Sequence, residues 1–221
     1  MILNHDLFRI EFKENTVPVL VIENPQYYAR FLTDLYNQCN GGEGNVGFYI
    51  NFEDKSLSKL AMVVFDYFSL TLNSRTVQTK LFNELKANAR DFEMQKSAFI
   101  QAGAGLMESI LLKSAFNGVS YNADVDWQGI FKLFDVRVEE DYETLAEKIS
   151  ALIKVSAELL GLKLLVFVGL KSFLTPAELK EVYKLAFYLK INILLVEPFE
   201  KEPIEGEKCH IVDKDLCFIV K

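Results

Sequence analysis

The chain has 221 residues, 50% of them apolar and 25% charged, which is the composition of a globular protein and excludes a disordered one. The 24 basic and 31 acidic residues give a net charge of −7, so nucleic-acid binding would need basic residues gathered on one face or concentrated by assembly. Three cysteines without a CxxC pair exclude a disulfide framework and indicate the reducing cytoplasm. No stretch reaches the ~18 apolar residues of a membrane helix, and we expect no signal peptide.

The first third of the chain predicts strands that alternate with a helix. Residues 17–23 are short, β-branched and apolar, which is typical of a strand covered on both faces. Asn24 and Pro25 then predict the start of a helix, with Asn24 as the N-cap and Pro25 at the first helical position. We expect this helix to extend to about residue 38 and two further strands to follow, over 46–52 and 61–65.

The last third repeats this arrangement. Residues 162–168 predict a buried strand, and Thr175, Pro176 and Glu178 predict a helix start with a capping box. A second buried strand over 191–196 follows, and strand, helix and strand within so short a span indicate a right-handed crossover in a parallel sheet. A final edge strand is predicted over 216–220.

The middle of the chain predicts helices and almost no strand. A helix over about 95–117 carries few charges, and a helix that is apolar nearly all round must be covered on most sides. In a small helical layer, another subunit could supply that cover. A last amphipathic helix is predicted over 142–160, with Gly161 as its C-terminal stop. The architecture is therefore an α/β fold: a parallel-rich head from 1–73 and 162–221, with an inserted helical leg from 74–161.

Neither of the two nucleotide-binding motifs that we considered has the surroundings that its chemistry needs. Residues 42–47 match G-x-G-x-x-G, but the predicted helix precedes them and the strand follows, which reverses the order that binds a pyrophosphate. The chain has no Gly-Lys-Ser or Gly-Lys-Thr, so it has no phosphate-binding lysine loop. Asp66 follows an apolar run as the magnesium-holding Asp of an ATPase does, but a capping or hydrogen-bonding role is favoured.

Other polar residues suggest weaker sites. Cys209 and His210 are adjacent, so their side chains would point apart in a strand, and we expect His210 at the surface. Asp124 and Asp126 have a spacing that can contribute to a Ca²⁺ site, and helix capping explains them equally well. Basic residues are frequent in the predicted leg and in the segment that leads to it: Lys55, Lys59, Arg75, Lys80, Lys86, Arg90 and Lys96.

Four segments of the chain resemble a known family, the small ring-forming adaptation proteins of type II-A CRISPR systems (the Csn-two family). They are TLNSRTVQTKLFNEL at 71–85, GIFKLFDVRVE at 129–139, KLLVFVGLKSFLTPAELKEVYKLAFYLKINILLVEP at 163–198 and CHIVDKDLCFIV at 209–220. The resemblance rests on the order, spacing and length of these segments, and none of them is a catalytic signature.

The resemblance implies a homotetrameric ring whose subunits have a degenerate ATPase-like head, without nucleotide-binding motifs, and a helical leg. It implies that double-stranded DNA ends enter a lysine-lined hole, and that the protein acts in spacer acquisition with the CRISPR integrase proteins and the RNA-guided nuclease. The family also carries a dense acidic run that binds calcium. Only Asp124 falls on one of its acidic positions here, with Asp126 close by, so the full family set of Ca²⁺ ligands is absent.

The leading hypothesis is a non-enzymatic, sequence-independent ring that binds DNA ends. We take Lys55, Lys59 and Arg75, where the head should give way to the leg, as its DNA-binding candidates, with Lys86 and Arg90 on the leg. The candidate metal ligands are Asp124 and Asp126, and no nucleotide cofactor is expected. Two alternatives remain open: a nucleotide-dependent enzyme with an atypical phosphate site, and an acidic scaffold that binds only proteins.

Overall fold

The computed structural model of the chain describes residues 1–116 and 118–221. The fold divides into two compact units. The first, here called the head unit, comprises Met1–Thr71 and Glu140–Lys221, and the second, the helical unit, comprises Leu72–Glu139. The helical unit is thus inserted, along the chain, into the head unit.

The helices and strands follow in chain order. The first part of the head unit contains β1 (Ile2–His5), β2 (Phe8–Glu11), β3 (Val17–Ile22), α1 (Pro25–Cys39), β4 (Gly47–Ile50), β5 (Glu53–Asp54), α2 (Leu57–Leu60) and β6 (Ala61–Val64). The helical unit contains α3 (Arg75–Asn88), a 3₁₀ turn (Ala89–Phe92), α4 (Glu93–Leu111) and α5 (Trp127–Leu133). The chain ends with α6 (Leu145–Lys154), a π turn (Val155–Leu159), β7 (Leu164–Val168), a 3₁₀ turn (Leu170–Ser172), α7 (Pro176–Tyr188), β8 (Asn192–Glu197), β9 (Glu207–Val212) and β10 (Phe218–Val220).

The centre of the head unit is a six-stranded sheet with the order β10-β9-β3-β8-β7-β6. All neighbouring pairs are parallel except β10 with β9, which is antiparallel. Every residue of β3 is buried, and β7 and β8 are nearly as apolar, because parallel strands are covered on both faces. The predicted α/β fold with a parallel-rich sheet is confirmed.

A second, four-stranded antiparallel sheet has the order β2-β1-β4-β5. Phe8 and Ile10 are buried while Arg9 and Glu11 are exposed, the alternation of a strand with one covered face. Strands β1 and β2 were not predicted, because strands of four residues give too short a hydrophobic pattern. The apolar face of this sheet and α1 share one core with one face of the parallel sheet.

Two strand predictions need correction. The strand expected over 46–52 is shorter, because Asn51 and Phe52 adopt positive φ in the turn that joins β4 to β5. The strand expected over 216–220 reduces to β10, and its partner β9 was not predicted. The helix expected over 95–117 corresponds to α4, and its predicted end at Asn117 lies outside the described residues.

The domain boundary also differs from the prediction, which placed residues 140–161 in the helical leg. These residues belong to the head unit, because α6 buries Ile149, Leu152 and Ile153 and packs against α7. Its amphipathic pattern is that of any helix that covers a core, so the pattern alone did not show which core. The predicted stop at Gly161 has the positive φ that favours glycine.

His210 is 4% exposed, so the expectation that it lies at the surface was wrong. Its ring stacks on that of Phe218, with centroids 5.9 Å apart, and neither ring nitrogen has a hydrogen-bond partner in the described chain. Burial, and then the positive charge of Lys208, lower the pKa of His210 to about 4. The imidazole is therefore a neutral core side chain.

We expect the stability contributed by neutral His210 to fall as the pH falls from about 6.5 to about 4, because only the unfolded chain binds a proton there. The full loss is about 3 kcal/mol of unfolding free energy. Urea unfolding at pH 7 and pH 5 should show a smaller loss for His210→Phe than for the unsubstituted protein. The carboxylates titrate in both proteins, so the difference between the two losses of unfolding free energy reports on the His210 ring alone. Equal losses would contradict the assignment of His210 as a neutral core side chain.

Candidate nucleic-acid interface

Two of the candidate DNA-binding residues lie in the head unit, between β5 and β6. The Nζ atom of Lys55 forms an ion pair with the carboxylate of Glu53, so part of its charge is already neutralised. Lys59 is exposed in the last turn of α2 and has no ion pair within the described chain. Lys59 is therefore the better candidate of the two for a phosphate contact.

The other three candidates lie in the helical unit. Arg75 is the first residue of α3, whose N-cap is Ser74, and its side chain is exposed. Lys86 in the last turn of α3 and Arg90 in the following 3₁₀ turn are also exposed. None of these three cations has an ion pair among the described residues, so each keeps its full charge for an external anion.

The helix α4 has no buried residue in the described chain, although it is rich in apolar side chains. Met94 is 85% exposed, Leu106 58% and Ile110 52%. At the end of α4, Leu111, Leu112, Phe116 and Val119 line a shallow groove with Glu108. Apolar surface of this extent is unusual in a monomeric protein and marks an interaction face.

The carboxyl end of β3 is the place where an ATPase would hold a phosphate, at the start of the following helix. Here the side-chain oxygen of Asn24 accepts hydrogen bonds from the backbone N–H groups of Gln26 and Tyr27, both at 3.1 Å. Pro25 has no backbone N–H. Asn24 is thus the predicted N-cap, and the donors that would bind a phosphate at this helix are used within the chain.

Asp66 lies after β6, and its side chain stabilises the turn that follows it. Its carboxylate accepts the backbone N–H groups of Phe68, at 2.9 Å, and Ser69, at 3.1 Å. Hydrogen bonds from the Ser69 side chain and from these backbone groups lower the pKa of Asp66. The carboxylate therefore has the hydrogen-bonding role that the sequence favoured.

The two candidate calcium ligands, Asp124 and Asp126, have different surroundings. The carboxylate of Asp126 accepts the N–H of Gly129, at 2.8 Å, and caps α5. Asp124 is exposed, and its backbone N–H donates to the side chain of Asn122. Within the part of the chain that the structure describes, three His, Cys, Asp or Glu side chains do not come together as a metal site. Asp126 is thus engaged as a cap, and Asp124 is an exposed carboxylate.

A buried ionic network that no sequence motif indicated lies beside the parallel sheet. The Glu197 side chain is fully buried, and its carboxylate accepts the backbone N–H of Lys171 and lies 3.2 Å from the Nζ atom of Lys201. The Nζ atom of Lys171 lies 2.7 Å from the carboxylate of Glu207, which also accepts the hydroxyl of Tyr183. The charges lie beside a cavity of about 210 Å³ and balance one another. Removing one partner would leave a buried charge uncompensated, which indicates a structural network.

A second network fixes the glycine-rich segment. His5 bridges the hydroxyl of Tyr27, at 2.7 Å, and the carboxylate of Asp34, at 3.1 Å. Asp34 also accepts the side-chain amide of Asn45. The helix α1, the glycine-rich loop and β4 follow one another in the predicted order. The hydrogen bond between Asn45 and Asp34 holds the loop against α1.

Residues 38–216 match the family described as CRISPR-associated protein (Cas_Csn2). The chain belongs to the Csn2 family. It is 22% identical to CRISPR-associated protein Csn2 of Enterococcus faecalis, over 98% of this chain and 97% of the relative. It is 25% identical to CRISPR-associated protein Csn2 of Streptococcus agalactiae, over 91% of this chain and 89% of the relative. The resemblance drawn from the four sequence segments is confirmed, and the protein is CRISPR-associated.

The fold of this Csn2-family chain is also similar to a solved structure, the crystal structure of Stu0660 of Streptococcus thermophilus. The similarity covers all of this chain and 76% of the other, with a TM-score of 0.59 and 12% sequence identity. At that identity the comparison shows a shared fold. In the described parts of this chain, no helix combines the length and apolar character that crossing a bilayer requires.

We expect Ca²⁺ to bind this Csn2-family chain weakly or not at all, because Asp126 is engaged as a cap and Asp124 is a lone carboxylate. Calorimetric titration with CaCl₂ should give no tight isotherm. A tight isotherm that is lost in Asp124→Ala and kept in Asp126→Asn would overturn this expectation. Asn caps helices about as well as Asp, so the second variant keeps the fold of α5.

Proposed function

We propose that this protein is a non-enzymatic, homotetrameric ring that binds the ends of double-stranded DNA without sequence preference and acts in CRISPR spacer acquisition. Its place is the cytoplasm, and its protein partners are the CRISPR integrase proteins and the RNA-guided nuclease. Membership of the Csn2 family supports the CRISPR role, and the exposed apolar side chains of α4 support the assembly.

The exposed surface of α4 supports assembly. The 19 residues of α4 include no buried side chain, and a helix in a folded protein is usually stabilised by packing its apolar side chains against another surface. A second copy of the chain can supply a matching apolar face, because a two-fold interface brings the same patch together from both subunits. A tetramer then follows if a second interface joins two such dimers.

The unpaired cations support DNA binding. With a net charge of −7, a monomer repels DNA at long range, and a tetramer carries four times that charge. Binding must therefore depend on a local positive lining, screened from the acidic surface over about 8–10 Å at moderate salt. Lys59, Arg75, Lys86 and Arg90 have no ion pairs in the described chain and suit this lining, whereas Lys55 is partly neutralised by Glu53.

The geometry at the end of β3 favours this proposal over the nucleotide-dependent enzyme. Asn24 and Pro25 leave the start of α1 without donors for a phosphate, and Asp66 is engaged by its own turn. An acidic scaffold that binds only proteins would not need the unpaired cations. Salt-dependent DNA binding separates it from the proposed function.

We expect linear duplex DNA to bind far better than closed circles of the same sequence at matched salt, because a ring must be threaded from an end. Both forms should be titrated with the protein, and light scattering should measure the mass of the protein to establish whether it is a tetramer. Lys59→Ala with Arg75→Ala should lower the salt slope of log K by about 2 and weaken all sequences alike.

The control for threading is a variant that cannot assemble. Leu106→Asp with Ile110→Asp places charges on exposed positions of α4, so the subunit should fold but not form the ring. This variant should lose the preference for linear DNA. Equal affinity of the unsubstituted protein for circles and linear DNA would remove the ring-threading proposal.

We also expect the purified protein neither to hydrolyse ATP nor to cut linear DNA. ATP turnover can be followed by phosphate release and cleavage by gel electrophoresis, each with Asp66→Ala as the matched variant. Either activity, abolished by Asp66→Ala, would favour the enzyme. The same activity in both proteins would show that the activity does not depend on Asp66.

A further inference from the structure

The amino-terminal edge of the parallel sheet carries a lysine ahead of each of three neighbouring strands. Lys59 lies two residues before β6, Lys163 one residue before β7 and Lys190 two residues before β8. Parallel strands start at the same edge of a sheet, so the three positions are brought side by side although they are distant in the sequence.

Backbone hydrogen bonds fix this juxtaposition. The N–H of Lys163 donates to the carbonyl of Leu60, at 2.7 Å, and the N–H of Asn192 donates to the carbonyl of Lys163, at 3.0 Å. Neighbouring strands lie about 4.8 Å apart, so three strands spread the lysines over about 10 Å. We call Lys59, Lys163 and Lys190 the amino-edge lysines.

The amino-edge lysines are exposed and none has an ion pair among the described residues, although nine other basic side chains of the described chain do. The three segments that lead into the strands, 57–61, 160–164 and 189–192, contain no acidic residue. In a chain with a net charge of −7, the part of this edge formed by β6, β7 and β8 therefore carries local positive charge.

The backbone of Lys190 gives a second indication. Its φ is +54°, a conformation in which glycine or asparagine is favoured after a helix. A lysine at this position carries a conformational cost that glycine would avoid. The backbone hydrogen bonds from Lys190 to Phe187 and from Ile191 to Ala186 close this helix end, and the side chain of Lys190 contributes no ion pair within the described chain.

We propose that the amino-edge lysines form a binding surface for the phosphate backbone of duplex DNA, with Lys163 and Lys190 as contacts that extend from Lys59. The inference rests on the proposed DNA binding and assigns a part of it to the head unit. Successive phosphates of one strand are farther apart than the 3.4 Å rise along the helix axis, because the strand winds around that axis, so a row of about 10 Å is long enough to meet about two of them. The three unpaired ammonium groups can therefore contact neighbouring phosphates of one strand.

The test compares two double variants of the full chain in titrations with linear duplex over a range of salt. Lys163→Ala with Lys190→Gly removes two amino-edge lysines, and the glycine suits the positive φ, so the fold is preserved. The control, Lys180→Ala with Lys184→Ala, removes the same charge from α7, where both lysines are exposed and paired with Glu205 and Glu181.

The amino-edge variant should lower the salt slope of log K by about 2 and weaken all sequences alike, while the control changes the slope by much less. The thermal stability of the amino-edge variant should stay the same or rise. If the unsubstituted protein binds DNA and the amino-edge variant has the same salt slope, this inference is wrong and the proposed function still stands. An equal fall in the control would also overturn it, because the effect would then follow from total charge. Absence of DNA binding by the unsubstituted protein would overturn the proposed function first.

Discussion

The covering of both faces of the parallel sheet is the constraint on which the rest of the head unit depends. It makes β3, β7 and β8 apolar throughout and requires a crossover between successive parallel strands. All of these strands therefore begin at one edge and end at the other. Several of the polar groups around this sheet, among them Asn24, Glu197 and Glu207, lie at or next to the ends of its strands.

At the carboxyl end of β3, the chain replaces a phosphate loop with a direct turn into α1. Asn24 and Pro25 satisfy or remove the donors that would bind an anion there. The charges at the end of β8 are likewise satisfied internally, since Glu197 is held by Lys171 and Lys201. Burial, and then the Glu197 carboxylate, raise the pKa of Tyr28 to about 12, so the phenols near this carboxylate stay neutral. This part of the fold is self-contained and structural.

The surfaces that remain open are of two kinds, and they point to different partners. The apolar side chains of α4 suit another protein surface, and a second copy of the chain is the partner that symmetry favours. The unpaired cations suit the phosphates of DNA. Their attraction can outweigh the repulsion by the negative net charge of the chain only at short distances, where salt does not screen it. The residues proposed for assembly and those proposed for DNA binding are thus separate, so variants of each can be tested independently.

The sequence by itself determined the parallel-rich fold, because buried strands such as 162–168 and helix starts such as Thr175-Pro176 depend on local composition and capping. It also identified the family and the charge-poor helix. It could not assign α6 to the head unit, place His210 in the core or find the network of Glu197, because burial depends on which surfaces pack together. Nor could it bring Lys59, Lys163 and Lys190 to one edge. Their proximity is decided by the register of β6, β7 and β8, and only the tertiary structure fixes that register.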